Sequence, residues 1–322
     1  MSESQEIKQG VTYHTIEEDD AGQRLDNYLL RILKGVPRSM IYRILRRGEV
    51  RCNKKRCEPS YKLLLGDVVR IPPVHVKEGA TYIPSSNLHL VQDLNSRILF
   101  ENEELLVIDK PAGLAAHGGS GIEFGLIEAV RALRQEYRFL ELAHRLDKET
   151  SGCIIIAKRR AALRNLHEQF RQREVKKRYV TLVPGKWDRS LHSVNAPLLR
   201  NELRSGERMV EVNFKLGSPS STGFDVVEEL EGATLVAAMP HTGRTHQIRV
   251  HTAYVHHPVG GDEKYGDREF NAFLKSLGFN RMFLHAQRIT FFNPEDHRLL
   301  KIEAPLPKEL LDIVDKLRLQ QD

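Results

Sequence analysis

Apolar positions along this chain fall into two regimes. From Leu25 to Leu33, and again from about Ser39 to Arg46, they recur at three- and four-residue intervals, which predicts two short helices separated by the turn Gly35-Val36-Pro37. A strand-rich part ends in Val68-Val69-Arg70-Ile71, so residues 14–76 read as one small unit. Periodicity then lapses through Gly79, Pro84, Ser85 and Ser86, which predicts a linker over 77–97. From Ile98 onward short apolar strands alternate with helices. The strands are expected at Leu105–Ile108, Cys153–Ala157, Tyr179–Val183, Met209–Phe214, Phe224–Val227 and Thr234–Ala237, and the helices at 123–134, 160–173 and 245–256. Strands outnumber helices and many are joined by turn-length connections. The pattern therefore predicts an α+β protein whose larger domain, 98–322, holds a mixed, largely antiparallel sheet and not a doubly wound one.

Composition changes this picture only in part. A chain of 322 residues that is 40% apolar supports one large core or two domains and excludes a disordered polymer. The first ten residues lack both a basic start and an apolar run, and no stretch reaches the length of a membrane span, so a soluble, cytoplasmic protein is expected. Cys52, Cys57 and Cys153 form an odd set without zinc-type spacing and read as free thiols in a reducing compartment. Charge matters more. Between Arg31 and Lys62 stand eleven cations against Glu49 and Glu58, a local surplus larger than the net +6 of the whole chain. Arg43, Arg46 and Arg47 project from a helix whose Met40, Ile41, Ile44 and Leu45 supply apolar faces, an arrangement suited to phosphates.

Gln23-Arg24-Leu25-Asp26-Asn27-Tyr28-Leu29, Ser39-Met40-Ile41-Tyr42-Arg43 and Gly48-Glu49-Val50-Arg51-Cys52-Asn53 together resemble the S4 RNA-binding module. On that resemblance Arg38, Ser39, Arg43, Arg46, Arg47, Lys54 and Lys55 are the candidate RNA contacts.

The tract His144-Arg145-Leu146-Asp147-Lys148-Glu149-Thr150-Ser151-Gly152 sets Asp147 between two cations, in a loop that leads into the apolar run Cys153-Ile154-Ile155-Ile156. A carboxylate there, with no second acid fixed nearby by sequence, suits isomerisation of a glycosidic bond better than its hydrolysis. The tract resembles the catalytic signature of the pseudouridine synthases of the RluA type. Leu105-Leu106-Val107-Ile108-Asp109-Lys110-Pro111-Ala112-Gly113 resembles that family's first block, where Asp109 and Lys110 read as sheet-end residues and not catalysts. The resemblance implies that Asp147 is the catalytic aspartate, paired with Arg249 of Thr242-Gly243-Arg244-Thr245-His246-Gln247-Ile248-Arg249. An opposite charge within a few ångströms favours the ionised form. It implies further that Tyr179 stacks on the target uracil and takes the C5 proton late. Arg145 fills the gap left by an extruded uridine, and Leu284 closes the pocket floor against water. Asp147 could add to the sugar or the base, or remove a sugar proton, and the sequence does not choose among these routes.

The likeness runs from residue 14 to about 318. Lys34-Gly35-Val36-Pro37-Arg38-Ser39, His117-Gly118-Gly119-Ser120-Gly121 and Tyr265-Gly266-Asp267-Arg268-Glu269-Phe270 bring it nearest to enzymes of the large ribosomal subunit. The implied partner is 23S rRNA or a large-subunit assembly intermediate, with several uridines modified by one monomeric enzyme. Ser218 stands where a lysine is usual, which removes one local RNA contact.

Other chemistries find less support. The glycines after His117 match neither the dinucleotide nor the Walker pattern, so no cofactor is expected. His241, His246, His251, His256 and His257 crowd one region without metal-ligand spacing, so no metal is expected. Arg24-Leu25-Asp26 repeats the triplet of the signature but opens a helix, where Asp26 serves structure. Three rivals stay open: a non-enzymatic ribosome-assembly factor, an RNA glycosidase that would release free uracil, and a large-subunit synthase with other target uridines.

Overall fold

In the N-terminal unit the apolar stripes of two helices meet one small sheet. β1 (Thr12–Thr15), α1 (Leu25–Ile32), α2 (Arg38–Arg46), β2 (Arg51–Cys52), β3 (Lys55–Arg56) and β4 (Val68–Ile71) follow in order, and the antiparallel sheet runs β1-β4-β2-β3. Leu25 and Leu29 of α1, Ile41 and Leu45 of α2, and Val69 and Ile71 of β4 share a single core. Between β2 and β3 the central residues Asn53 and Lys54 both have positive φ, 51° and 66°, the conformation of a two-residue hairpin. Asn53 holds that turn through its side chain, donating to Asp67 Oδ1 at 2.7 Å and accepting from Val68 N–H at 2.9 Å. Lys54 is thereby left at an exposed tip.

This computed structural model describes residues 10–17, 20–33, 36, 38–74, 84–85, 88–118, 124–202 and 208–318. Its contacts divide the chain into Met1–Ile83 and Pro84–Asp322. The linker expected over 77–97 needs correction at its end. His89–Ser96 is a helix, α3, because Val91 and Leu94 stand three apart and bury fully in the core of the second unit.

The second unit continues with β5 (Ile98–Glu101), β6 (Leu105–Lys110), α4 (Leu126–Leu133), β7 (Glu141–Leu142), β8 (Ser151–Ala157), α5 (Arg160–Arg171), β9 (Lys176–Pro184) and β10 (Ser193–Val194). Next come β11 (Leu198–Glu202), β12 (Arg208–Val212), β13 (Thr222–Leu230), β14 (Ala233–Pro240) and α6 (Gln247–Tyr254). The chain ends with α7 (Arg268–Ser276), β15 (Leu284–Phe292), β16 (Leu299–Glu303) and α8 (Lys308–Arg318). A ten-stranded mixed sheet is ordered β10-β13-β14-β9-β15-β8-β6-β5, with β16 beside β15 and β7 beside β8. β11 and β12 form a separate hairpin. Every pairing in the large sheet is antiparallel except β8 with β15.

Both faces of the sheet are covered at its centre. Ile154 and Ile156 point to one core, Cys153, Ile155 and Ala157 to another that includes Ala162 and Leu166 of α5, as alternation along a strand requires. A strand buried on both faces reads as an unbroken apolar run, which is what 153–157 shows. At the start of β8, Gly152 has φ 110°, and a Cβ there would come within 2.3 Å of the Ala286 carbonyl oxygen of β15. Only glycine allows the parallel pair to close at that point.

Candidate active site

The parallel pairing of β8 with β15 places the end of the signature beside Leu284. Asp147 sits in the loop between β7 and β8, where Thr150 N–H closes a turn onto its carbonyl at 3.1 Å. Lys110, at the end of β6, holds the loop from below. Its buried Nζ donates to the carbonyls of Pro111, Leu114 and Lys148 at 2.9, 2.7 and 3.0 Å. Burial draws this amine down to about 7, and three acceptors match the three N–H bonds of its ammonium form. It is therefore more than the sheet-end residue expected from the sequence. Gly113 N–H adds a second bond to the Lys148 carbonyl at 2.9 Å, so the loop is anchored one residue after the acid.

Asp147 itself is not saturated. Its Oδ2 lies 3.5 Å from Arg249 Nη1 and 3.9 Å from His246 Nε2, with 29% of the side chain exposed. Arg249 is held more firmly by another acid. Its Nε and Nη2 donate to Asp262 Oδ2 and Oδ1 at 2.6 and 2.8 Å, and the Asp262 side chain is fully buried. Burial pushes the Asp262 carboxyl up, but the paired guanidinium and the N–H groups of Lys264 and Tyr265 together hold it below its ordinary value. Asp262 also accepts from Lys264 and Tyr265 N–H, which fixes the turn that carries Tyr265. The Arg249 guanidinium lies 5.0 Å from the Tyr265 ring centroid. One face of Arg249 is thus immobilised, and its remaining Nη1 is turned to Asp147.

These groups open on a cavity of about 900 Å³, within the roughly 300–1,000 Å³ typical of ligand sites. Arg145, Asp147, Tyr179, Arg249 and Leu284, which are separated by up to 139 positions in the chain, all line it. Tyr179 on β9 is 9% exposed, and burial, followed by the charge of Asp147, raises its phenol above the ordinary value. Arg145 is exposed and Leu284 is buried. Lys177, two positions before Tyr179, reaches the same wall, where burial lowers its ammonium. Asp262 carries no sequence signal of its own, and Tyr265 and His246 lie in quoted motifs without an assigned part.

The crowded histidines have separate employments. His251 is buried between the Thr222 hydroxyl and the Ala196 carbonyl, both at 2.9 Å, and His257 lies 2.9 Å from the Pro184 carbonyl. Among the described residues no three His, Cys, Asp or Glu side chains are grouped to hold a metal ion.

In the N-terminal unit Ser39, Arg43, Arg46, Arg47, Lys54 and Lys55 are exposed, while the side chain of Arg38 lies outside the described residues. Arg47, Arg51, Lys54 and Arg70 line a groove of about 940 Å³ together with Tyr13, which is 67% exposed. Positive charge and an open aromatic ring therefore share one surface.

Residues 23–69 match the S4 domain model, and residues 104–254 match the model described as RNA pseudouridylate synthase. The chain is 55% identical over 315 residues to ribosomal large subunit pseudouridine synthase C of Pasteurella multocida, covering 98% of this chain and 96% of that one. It is 54% identical to the enzyme of the same name from Escherichia coli K12, over 93% and 94% of the two chains. The solved structure of human RNA pseudouridylate synthase domain containing 4 superposes with a TM-score of 0.58 at 26% identity, covering 71% of this chain and 95% of that one.

Proposed function

The chain belongs to the RNA pseudouridylate synthases, and from that premise we propose that Asp147 is its acting carboxylate on uridines of 23S rRNA or of a large-subunit assembly intermediate. The observation that carries the reading is the polarity of the Asp147–Arg249 pair: the arginine is locked by a buried acid, and Asp147 keeps its remaining lone pairs toward the cavity. A charge held in place but left unsaturated is available to a substrate. The reaction conserves atoms. The N1–C1′ bond breaks, the uracil turns, C5 bonds to C1′, and the proton lost from C5 is balanced by one gained at N1. Asp147 meets the sugar or the base once the uridine has left its stack, and Arg145 takes the space it vacates. Tyr179 forms a ring wall for the uracil. Leu284 and the enclosed floor exclude water, which would otherwise capture C1′.

The exposed cations of α2 and the β2–β3 hairpin supply sequence-independent affinity for the RNA backbone. No helix of the described residues is long and apolar enough to cross a membrane. Mapping pseudouridines in 23S rRNA from cells with and without the gene tests the assignment. Loss of specific pseudouridines that wild-type protein restores and Asp147→Asn does not is the expected outcome. Unchanged maps, or release of free uracil by the purified protein, would overturn it.

A further inference from the structure

His246 has features that the pairing of Asp147 with Arg249 does not require. At the N-terminal edge of α6 its backbone is left-handed, φ 53° and ψ 19°, a conformation that a non-glycine residue adopts at some cost. That geometry turns the ring into the cavity wall beside Asp147. On its far side Nδ1 lies 2.9 Å from the Tyr265 hydroxyl, which itself accepts the Val210 N–H at 3.0 Å. With the phenol oxygen already accepting, its hydrogen is free to donate to Nδ1. Nδ1 accepting that hydrogen is the arrangement that places the imidazole proton on Nε2. Burial favours the same neutral form, against a smaller opposing pull from Asp147. Nε2 stands 3.9 Å from Asp147 Oδ2, too far for a hydrogen bond, in a side chain only 16% exposed. A largely enclosed N–H of fixed orientation thus faces the space next to the acting carboxylate, and an oxygen entering there would satisfy it.

We propose that the Nε2–H of His246 is a substrate-binding donor, which takes an oxygen on a carbon adjacent to the glycosidic bond of the extruded uridine: the ribose 2′-hydroxyl or the uracil 2-carbonyl. Tyr265 is the positioning residue that sets its tautomer. The inference rests on Asp147 being the acting carboxylate, since that acid defines where the reacting bond must lie. A donor to the 2-carbonyl would meet charge that grows on uracil as N1–C1′ breaks, and a donor to the 2′-hydroxyl would orient the sugar.

The test is single-turnover conversion of a 23S rRNA fragment carrying a uridine that the wild-type enzyme modifies. Asp147→Asn is run alongside, so that retained activity there sinks the site assignment and this proposal together. With that variant inactive, His246→Ala is expected to slow the chemical step about 100-fold with little change in RNA affinity, as for loss of one preorganised donor. His246→Gln, whose amide also donates, should recover most of the rate, and Tyr265→Phe should fall between. Placing 2′-deoxyuridine or 2-thiouridine at the target identifies the acceptor: the His246→Ala penalty disappears on whichever RNA lacks the contacted oxygen. Equal impairment of the Ala and Gln variants at unchanged thermal stability, a wild-type rate in His246→Ala, or a penalty that persists on both modified RNAs would each overturn the proposal.

Discussion

The triplet Arg-Leu-Asp occurs twice in this chain, at 24–26 and at 145–147, and the two copies meet opposite fates. Asp26 is 2% exposed and saturated: Arg24 grips it at 3.1 and 2.7 Å, Asn27 N–H reaches it at 2.9 Å and the Tyr42 hydroxyl at 3.2 Å. The Arg24 guanidinium, first among these, holds the Asp26 carboxyl below its ordinary value. Asp147 receives nothing comparable from its own Arg145. Its nearest cation comes from Arg249, stands 3.5 Å away and spends its best hydrogen bonds on Asp262. An acid whose lone pairs are all engaged serves the fold. An acid with lone pairs turned to a cavity can serve a reaction. What separates them is the supply of donors, not the local sequence.

The matched substitutions Asp147→Asn and Asp26→Asn break this comparison most directly. Asp147→Asn should lower single-turnover pseudouridine formation by at least about 10³-fold, a typical upper range for loss of an acid–base or nucleophilic group. Its thermal unfolding should stay close to wild type, because the partly exposed carboxylate makes no short hydrogen bond. A large fall in stability would place Asp147 with Asp26 as a structural acid.

Asp262→Asn tests why the two arginines differ. Removing one partner of a buried pair costs about 3–5 kcal/mol, so the protein should lose much of its stability margin. The freed Arg249 should then close on Asp147 and consume its lone pairs, lowering the rate by about 100-fold, as misplacement of an active group does. Retained activity at reduced stability would show that Asp147 needs no anchored arginine.

Asp26→Asn carries a smaller effect of opposite kind. It should destabilise the N-terminal unit by about 1–3 kcal/mol, the cost of leaving buried donors poorly matched, as read by denaturant unfolding. The chemical step on saturating RNA should be unchanged.

Much of this contrast was legible in the chain. The run Cys153–Ala157 announced a strand, and the position of Asp26 at the first turn of a helix marked it as structural. The strand Leu284–Phe292 was not foreseen, because His285, Gln287 and Arg288 interrupt its apolar alternation and a bulge falls between His285 and Arg288. Inside the fold His285 is buried against the Ser151 hydroxyl at 2.9 Å, a compensation no linear pattern records. α3 was hidden by neighbouring Pro and Ser, although Val91 and Leu94 carried its spacing. Asp262, Tyr265 and Lys110 were missed as supports for a different reason. Each acts through another group, and such a part is defined by distances between segments and not by residue type.

Three cations of the N-terminal unit complete the comparison, since among the described residues no acid is paired with Arg43, Arg46 or Lys54. Arg43, Arg46 and Lys54 are exposed and make at most local contacts, Arg43 with the Met40 sulfur and Arg46 with the Tyr42 carbonyl. Replacing any one by alanine should leave both stability and the rate on saturating RNA unaltered. Each should weaken RNA binding across sequences alike and reduce the slope of log affinity against log salt by about one, the signature of a lost phosphate contact. Arg31 provides the control within the same cluster. It is already paired with Asp20 at 2.6 Å and stacked 5.1 Å over Tyr28, so Arg31→Ala should cost stability and leave the salt slope in place. Equal slopes for all four variants would mean that cation count, and not freedom from a neighbouring acid, decides which of them meets RNA.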